Sequence, residues 1–322
     1  LPFTESKDIV LKFLGKLGML VALVGILDFG IGSLLEYLFF HQGNNWYAAT
    51  TYALNESEED ILIFGSSRAI HHYIPEILTE KTGLSCYNAG CDGQSLFYDY
   101  ALFKSILVRR TPEKVILDLS KFSLYFDQFH YDRLSHLYPY YRDNAELRKV
   151  IDLKDRSGRY VRLSKLYTFN STILVILKSF VSPRTDYNGY IPYPTDHRMD
   201  SSEISYEPLG IDMYIGYMAE ERLDEQKINI LNQFVDDALE AGIDLYIMES
   251  PYFFLQKDTD NASLAKIRDI LEEKHIRYYN FSNDKIFSLN PGLFGDGIHL
   301  NPAGAEIYSQ LVGDIIAGEH PE

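Results

Sequence analysis

Three short stretches, far apart in the chain, carry side chains whose types and spacing could do chemistry. Gly65-Ser66-Ser67-Arg68 follows the apolar run Ile61–Phe64. A serine on a tight turn leaving a strand presents its hydroxyl at the sheet edge, with its own N–H aimed into the same space. Ser66 or Ser67 can equally well cap a helix. The block Asn88-Ala89-Gly90-Cys91-Asp92-Gly93-Gln94-Ser95 has two glycines three positions apart. They let the backbone approach a ligand and aim N–H groups at a developing anion, although a plain loop reads the same way. Near the other end, Asp296 and His299 stand three residues apart in Gly295-Asp296-Gly297-Ile298-His299-Leu300-Asn301-Pro302. A carboxylate that fixes an imidazole's tautomer leaves the other ring nitrogen available as a general base, whereas a helix-entry turn is the ordinary reading of such a pair.

The elements that must position these groups alternate between apolar bursts and helical patterns. Ile61–Phe64, Leu84–Asn88, Val115–Leu119, Asp244–Ser250 and Ile276–Phe281 read as five strands. Helices are expected over Pro75–Lys81, Phe97–Arg109, Gln226–Ala241 and Ser263–Lys274, with a last one from Pro302. This order predicts a parallel sheet covered on both faces, and ligands in such sheets sit beyond the carboxyl ends of the strands. From about 120 to 225 the alternation fails and tyrosines crowd in, which reads as an inserted cap. No internal repeat is visible, so a solenoid is excluded.

The 322 residues are 46% apolar and carry a formal net charge of −16, an ordered globular composition that would repel phosphate backbones. A general nucleic-acid binder is therefore excluded. Leu17–Phe40 is long and apolar, with Lys7, Lys12 and Lys16 before it and only Asp28 and Glu36 inside. As a helix it reaches ~36 Å, enough for a hydrocarbon layer of ~30 Å. The lysines favour the amino-terminal end inside and the remainder outside the membrane. Asp28 is the objection, since an acid at mid-span costs roughly 2.5–3.5 kcal/mol. The expected organisation is an anchor segment over 1–45, a linker over 46–60, and a body over 61–322 with its insertion at about 120–225.

Taken together and in this order, Gly65-Ser66-Ser67, the Asn88–Ser95 block and Asp296-Gly297-Ile298-His299 resemble the SGNH (GDSL-type) hydrolase superfamily, in particular its membrane-anchored branch with GSSR in place of GDS. The resemblance covers about 59–317 and matches little in the middle third. It implies a three-layer α/β/α fold of flavodoxin-like type with a five-stranded parallel sheet. It also implies Ser67 as nucleophile, His299 as general base and Asp296 as orienting acid, with the N–H groups of Ser67 and Gly93 in an oxyanion hole. The implied activity is that of a serine esterase or O-acyltransferase, without a cofactor, acting on acyl esters of envelope glycan or polysaccharide outside the membrane. One departure stands out. The asparagine that family members carry after the third strand is missing, and Ser120-Lys121-Phe122 stands there. Ser120 or Lys121 must then substitute, or the chain is a weak or inactive relative that binds a glycan or a protein partner.

Other residues are read more plainly. Arg68 can clamp an anionic substrate group or pair with a structural carboxylate. Adjacent His71 and His72 point in different directions on a helix and lack further ligands at suitable spacing, so no metal is expected. Cys86 and Cys91 are too close across an extended strand for a disulfide to be expected.

Overall fold

The computed structural model describes residues 3–41, 47–153, 163–170, 172–181, 188–194, 219–253, 261–288 and 290–318. In chain order the helices are α1 (Phe3–Phe40), α2 (Ala48–Asn55), α3 (Ser67–His72), α4 (Pro75–Thr82), α5 (Leu96–Arg109), α6 (Gln128–Arg133), α7 (Ala145–Ile151), α8 (Ile173–Val181), α9 (Glu225–Glu240), α10 (Ala262–Glu273) and α11 (Pro302–Ala317). The strands are β1 (Ile61–Phe64), β2 (Cys86–Asn88), β3 (Lys114–Asp118), β4 (Tyr125–Asp127), β5 (Ala219–Leu223), β6 (Asp244–Glu249) and β7 (Tyr278–Asn280).

Five strands form one parallel sheet in the order β2-β1-β3-β6-β7. Its central strands are apolar because both faces are covered. Alternate residues point to opposite faces. Leu62, Phe64, Val115, Leu117 and Ile247 pack with buried residues of α5, α9 and α10. Ile61, Ile63, Ile116 and Met248 pack instead with Leu78 of α4 and Tyr308, Val312 and Ile316 of α11. The result is the expected three-layer α/β/α architecture. Register aligns the strand ends, with Ile63 beside both Asn88 and Ile116, and Met248 beside Tyr279. The loops after β1, β2 and β3 therefore open onto one edge.

Two features were not expected. The described ends of the insertion pair with one another: β4 and β5 are antiparallel, with Tyr125 opposite Leu223 and Asp127 opposite Ala219. The Asp224 N–H also donates to the Leu124 carbonyl at 2.8 Å. Within the stretch expected to be a linker, α2 buries Thr50, Ala53 and Leu54, the last two in the same core as α5. Its mixed polar and aromatic sequence hides that buried face.

The amino-terminal helix is longer than its apolar core, running for 38 residues. Within Asp8–Phe40 an 18-residue stretch reaches a mean hydropathy of 2.1, and the helix is long and apolar enough to cross a membrane.

Candidate active site

The turn after β1 needs glycine. Gly65 has φ +147°, and a Cβ there would come within 2.8 Å of the Ala69 Cβ. Ser66 follows in extended backbone at the helix cap position but makes no side-chain cap bond. Ser67 is the first residue of α3, and its hydroxyl lies 2.8 Å from His299 Nε2.

His299 comes from the turn before α11. Its Nδ1 lies 2.8 Å from Asp296 Oδ2, while Asp296 Oδ1 accepts the N–H groups of Ile298 and His299, each at 2.8 Å. The turn is held from outside as well. The Leu300 N–H donates to His72 Nε2 at 3.0 Å, and the Asn301 side chain caps α11 by accepting from the Gly304 N–H at 3.0 Å. Burial would by itself raise the Asp296 carboxyl, but the bonds from His299, Tyr193 and the Ile298 N–H outweigh it and hold the carboxyl well below its usual range. An ionised Asp296 requires the proton on Nδ1 of a neutral His299. Nε2 is then left to accept from the Ser67 hydroxyl.

Tyr193 was not singled out by the sequence. Its hydroxyl donates to Asp296 Oδ2 at 2.7 Å, and its ring stacks on His299 with centroids 4.9 Å apart and 15° between planes. Gly295 admits it: a Cβ there would lie 2.2 Å from Tyr193 Cδ1. The strap around Tyr193 is anchored to the site's own elements. The Asn88 N–H donates to the Asn188 carbonyl at 2.9 Å, the Ile191 N–H to the Ile70 carbonyl at 3.0 Å, and His71 Nδ1 to the Ile191 carbonyl at 2.6 Å. A tyrosine among many in an unpatterned stretch gives no local signal of this role.

Beside Ser67 lies a cavity of about 190 Å3, lined among others by Gly93, Gln94, Ser120, Phe122 and His130. Gln94, also unanticipated, is buried and its Nε2 has no partner among the described residues. Asp99 shares the wall, and burial raises its carboxyl well above the usual range, favouring the neutral form. The Ser120 hydroxyl oxygen accepts from Tyr252 OH and from the Phe122 N–H, each at 3.2 Å.

The other two residues expected to bind substrate are placed differently. Arg68 is 2% exposed: Nη2 donates to Asp118 Oδ1 at 2.9 Å, Nη1 donates to the Ser250 carbonyl at 3.0 Å, and the guanidinium lies 4.6 Å over Tyr252. This is the pairing with a structural carboxylate that was its alternative reading. Lys121 is buried outside the cavity lining, with its ammonium 5.3 Å over the Phe122 ring and its N–H donating to Glu249 at 2.9 Å. Cys86 and Cys91 are both buried thiols. Among the described residues, no group of three or more His, Cys, Asp or Glu could hold a metal ion.

No family model matches the chain, and no curated protein matches it. Among solved structures, it is similar to a crystal structure from Bacteroides fragilis NCTC 9343 whose acylhydrolase assignment is itself provisional. The likeness covers 84% of this chain and 94% of that chain at 12% identity, with a TM-score of 0.40. A likeness at that level carries no argument about residue roles or substrate.

Proposed function

We propose that the chain is a membrane-anchored serine ester hydrolase or O-acyltransferase acting outside the cytoplasm on acyl esters of envelope glycan or exported polysaccharide. One observation carries the reading: the unbroken relay from Ser67 Oγ to His299 Nε2 and from His299 Nδ1 to Asp296, with both steps at 2.8 Å. In this reading Ser67 Oγ attacks the ester carbonyl carbon as its proton passes to His299 Nε2. The tetrahedral oxyanion is held by the N–H groups of Ser67 and Gly93, and by the Gln94 amide, to which we assign the donor role of the missing asparagine. His299 returns the proton to the leaving alcohol. Water or a sugar hydroxyl, deprotonated by the same nitrogen, then releases the acyl group and restores Ser67.

The cavity's size and its serine and glutamine lining suit a short acyl chain. A second reading, a binding protein with little or no turnover, is favoured by one observation: Ser120-Lys121-Phe122 supplies no side-chain amide after β3.

A serine-reactive fluorophosphonate tests the first against the second. The folded wild type should be labelled, and both Ser67→Ala and His299→Ala should abolish labelling. A folded wild type that resists the probe and leaves a chromogenic acetyl ester intact would overturn the enzyme reading.

A further inference from the structure

α1 is longer than a bilayer needs. Its 38 residues extend ~57 Å, against a hydrocarbon layer of ~30 Å. From Asp28 onward one face of it meets the body, while Phe29, Ile31, Leu34 and Tyr37 stay exposed on the rest of its surface. From Ile9 to Leu27 its large apolar side chains are exposed, a stretch of ~28 Å whose two charges, Lys12 and Lys16, lie in its first half and can snorkel back to the headgroups at that end. At Asp28 the carboxylate accepts the Ser164 hydroxyl, the Lys165 N–H at 2.8 Å and the Leu166 N–H at 3.3 Å. One turn on, Gly32 lies against the Lys165 backbone, where a Cβ would meet the carbonyl carbon at 2.7 Å. Glu36 then pairs with Lys165 Nζ at 2.6 Å, and Phe39 is 3% exposed against Tyr47, Tyr140 and Phe169. The exposed Arg142 is near enough for its charge to act on Asp28, which suits a headgroup level better than the middle of the hydrocarbon.

Beside α1 the body presents apolar side chains outward. Leu163, next to Ser164, is 80% exposed. On α8, which packs beside α1, Leu174 is 79% and Leu177 56% exposed, three residues apart on one face. Within α8, Ile-Leu-Val-Ile-Leu-Lys-Ser-Phe-Val, Lys178 is the one charge. Such a helix suits the boundary between acyl chains and headgroups, with its lysine reaching toward the polar side.

We propose that α1 leaves the hydrocarbon at Asp28, and that Leu163, Leu174 and Leu177 seat the body on the acyl-chain margin of the same bilayer. This rests on the reading of α1 as a membrane span. Lipid is the occupant because Leu163 adjoins the Ser164 contact with Asp28, α8 packs beside the apolar helix α1, and cationic Lys178 flanks the patch. The body is then fixed in height and orientation instead of swinging on a tether, and Asp28 is satisfied by the body at the membrane surface. The mid-span cost of an acid no longer applies.

The test is depth measurement on the full chain in phosphatidylcholine vesicles. Single nitroxide labels are placed at Val21→Cys, Leu163→Cys, Leu174→Cys, Leu177→Cys and, as an aqueous reference, Glu306→Cys; the native Cys86 and Cys91 are buried. The ratio of relaxation by oxygen to relaxation by a water-soluble nickel chelate should be highest at Val21. At positions 163, 174 and 177 it should lie between the extremes, several-fold above Glu306. Ratios equal to Glu306 at those three positions, with Val21 still deep, would overturn the seating and leave the anchor standing. Ratios as high as at Val21 would overturn the exit at Asp28. A Val21 ratio equal to Glu306 would overturn the membrane reading and the seating with it.

Discussion

Tyr193 and His299 meet the Asp296 carboxylate on the same oxygen: Oδ2 accepts from the tyrosine hydroxyl at 2.7 Å and from His299 Nδ1 at 2.8 Å. The insertion therefore holds the acid of the relay as well as roofing the histidine. Tyr193→Phe keeps the ring stack and deletes one bond to a charged acceptor, worth ~1.5–3 kcal/mol. We expect kcat on a chromogenic acetyl ester to fall by about ten-fold with KM little changed, as the Asp296 carboxyl moves up toward its ordinary range. Tyr193→Ala should lose more, because the ring that steadies His299 goes too. A Tyr193→Phe protein with unchanged kcat would remove the hydroxyl from the account.

How much of this could be read beforehand follows from the range of the signals. The strands of the sheet show up as apolar runs because parallel strands are buried on both faces, and the turn residues Gly65, Gly83 and Gly242 mark where they and the helices break. Those local signals also align the three blocks that bring Ser67, Asp296 and His299 to hydrogen-bond distance. Long-range pairings leave no such mark. Arg68 finds Asp118 fifty positions away, and Tyr125 pairs with Leu223 across the whole insertion. Tyr193 looks like any other tyrosine until the turn at Gly295 is folded beneath it. α2 escapes because its buried face is made of small and aromatic residues with no clean helical period.

Arg68 separates a structural from a substrate role. Removing one partner of a buried ion pair leaves the other charged and desolvated, which costs ~3–5 kcal/mol. Arg68→Met should lower the unfolding free energy by about that amount, since Asp118 would keep only the 2.7 Å bond from Tyr73 among its side-chain donors named here. Adding Asp118→Asn should recover part of the loss. A substrate clamp would behave differently, raising KM while stability stayed near wild type. That outcome in urea unfolding and steady-state kinetics would restore the role first considered for Arg68.

Three histidines, His72 fully buried and His130 and His136 partly buried, make the fold sensitive to acid. Burial and then the charge of Arg133 pull His136 from 6.5 down to about 3. Burial and then Lys227 pull His130 to about 3, and burial followed by the nearby His299 lowers His72. Each folded value lies below the unfolded one, so the folded state binds fewer protons in between. The stabilisation is complete above about pH 6.5 and is lost as the pH falls from there toward the folded values, at up to ~1.4 kcal/mol per pH unit for each group. Unfolding free energy from urea titrations should therefore fall steeply between about pH 6.5 and 5. His136→Gln, whose side chain can still reach the Thr50 hydroxyl that His136 Nε2 contacts at 3.2 Å, should reduce that slope by about one proton. An unchanged slope would show that His136 does not titrate with unfolding.

Where the chain can be cut tests how far α1 belongs to the body. A cut after Asn45 looks natural if α1 is only an anchor. Yet Phe39 belongs to the main core cluster, with Leu35, Leu38 and Phe40 packed against it. A chain beginning at Asp28 keeps these contacts and the Asp28 and Glu36 bonds to the segment around Lys165. It should fold with a stability close to that of the full chain in detergent. A chain beginning at Trp46 loses a buried phenylalanine, which alone costs ~3–5 kcal/mol, together with its partly buried neighbours. We expect it to melt well below the longer fragment, or to remain unfolded at room temperature, when both are followed by circular dichroism. Equal melting of the two fragments would mean that the packing of α1 against Tyr140 and Phe169 contributes nothing to the fold, and that the helix is an anchor along its whole length.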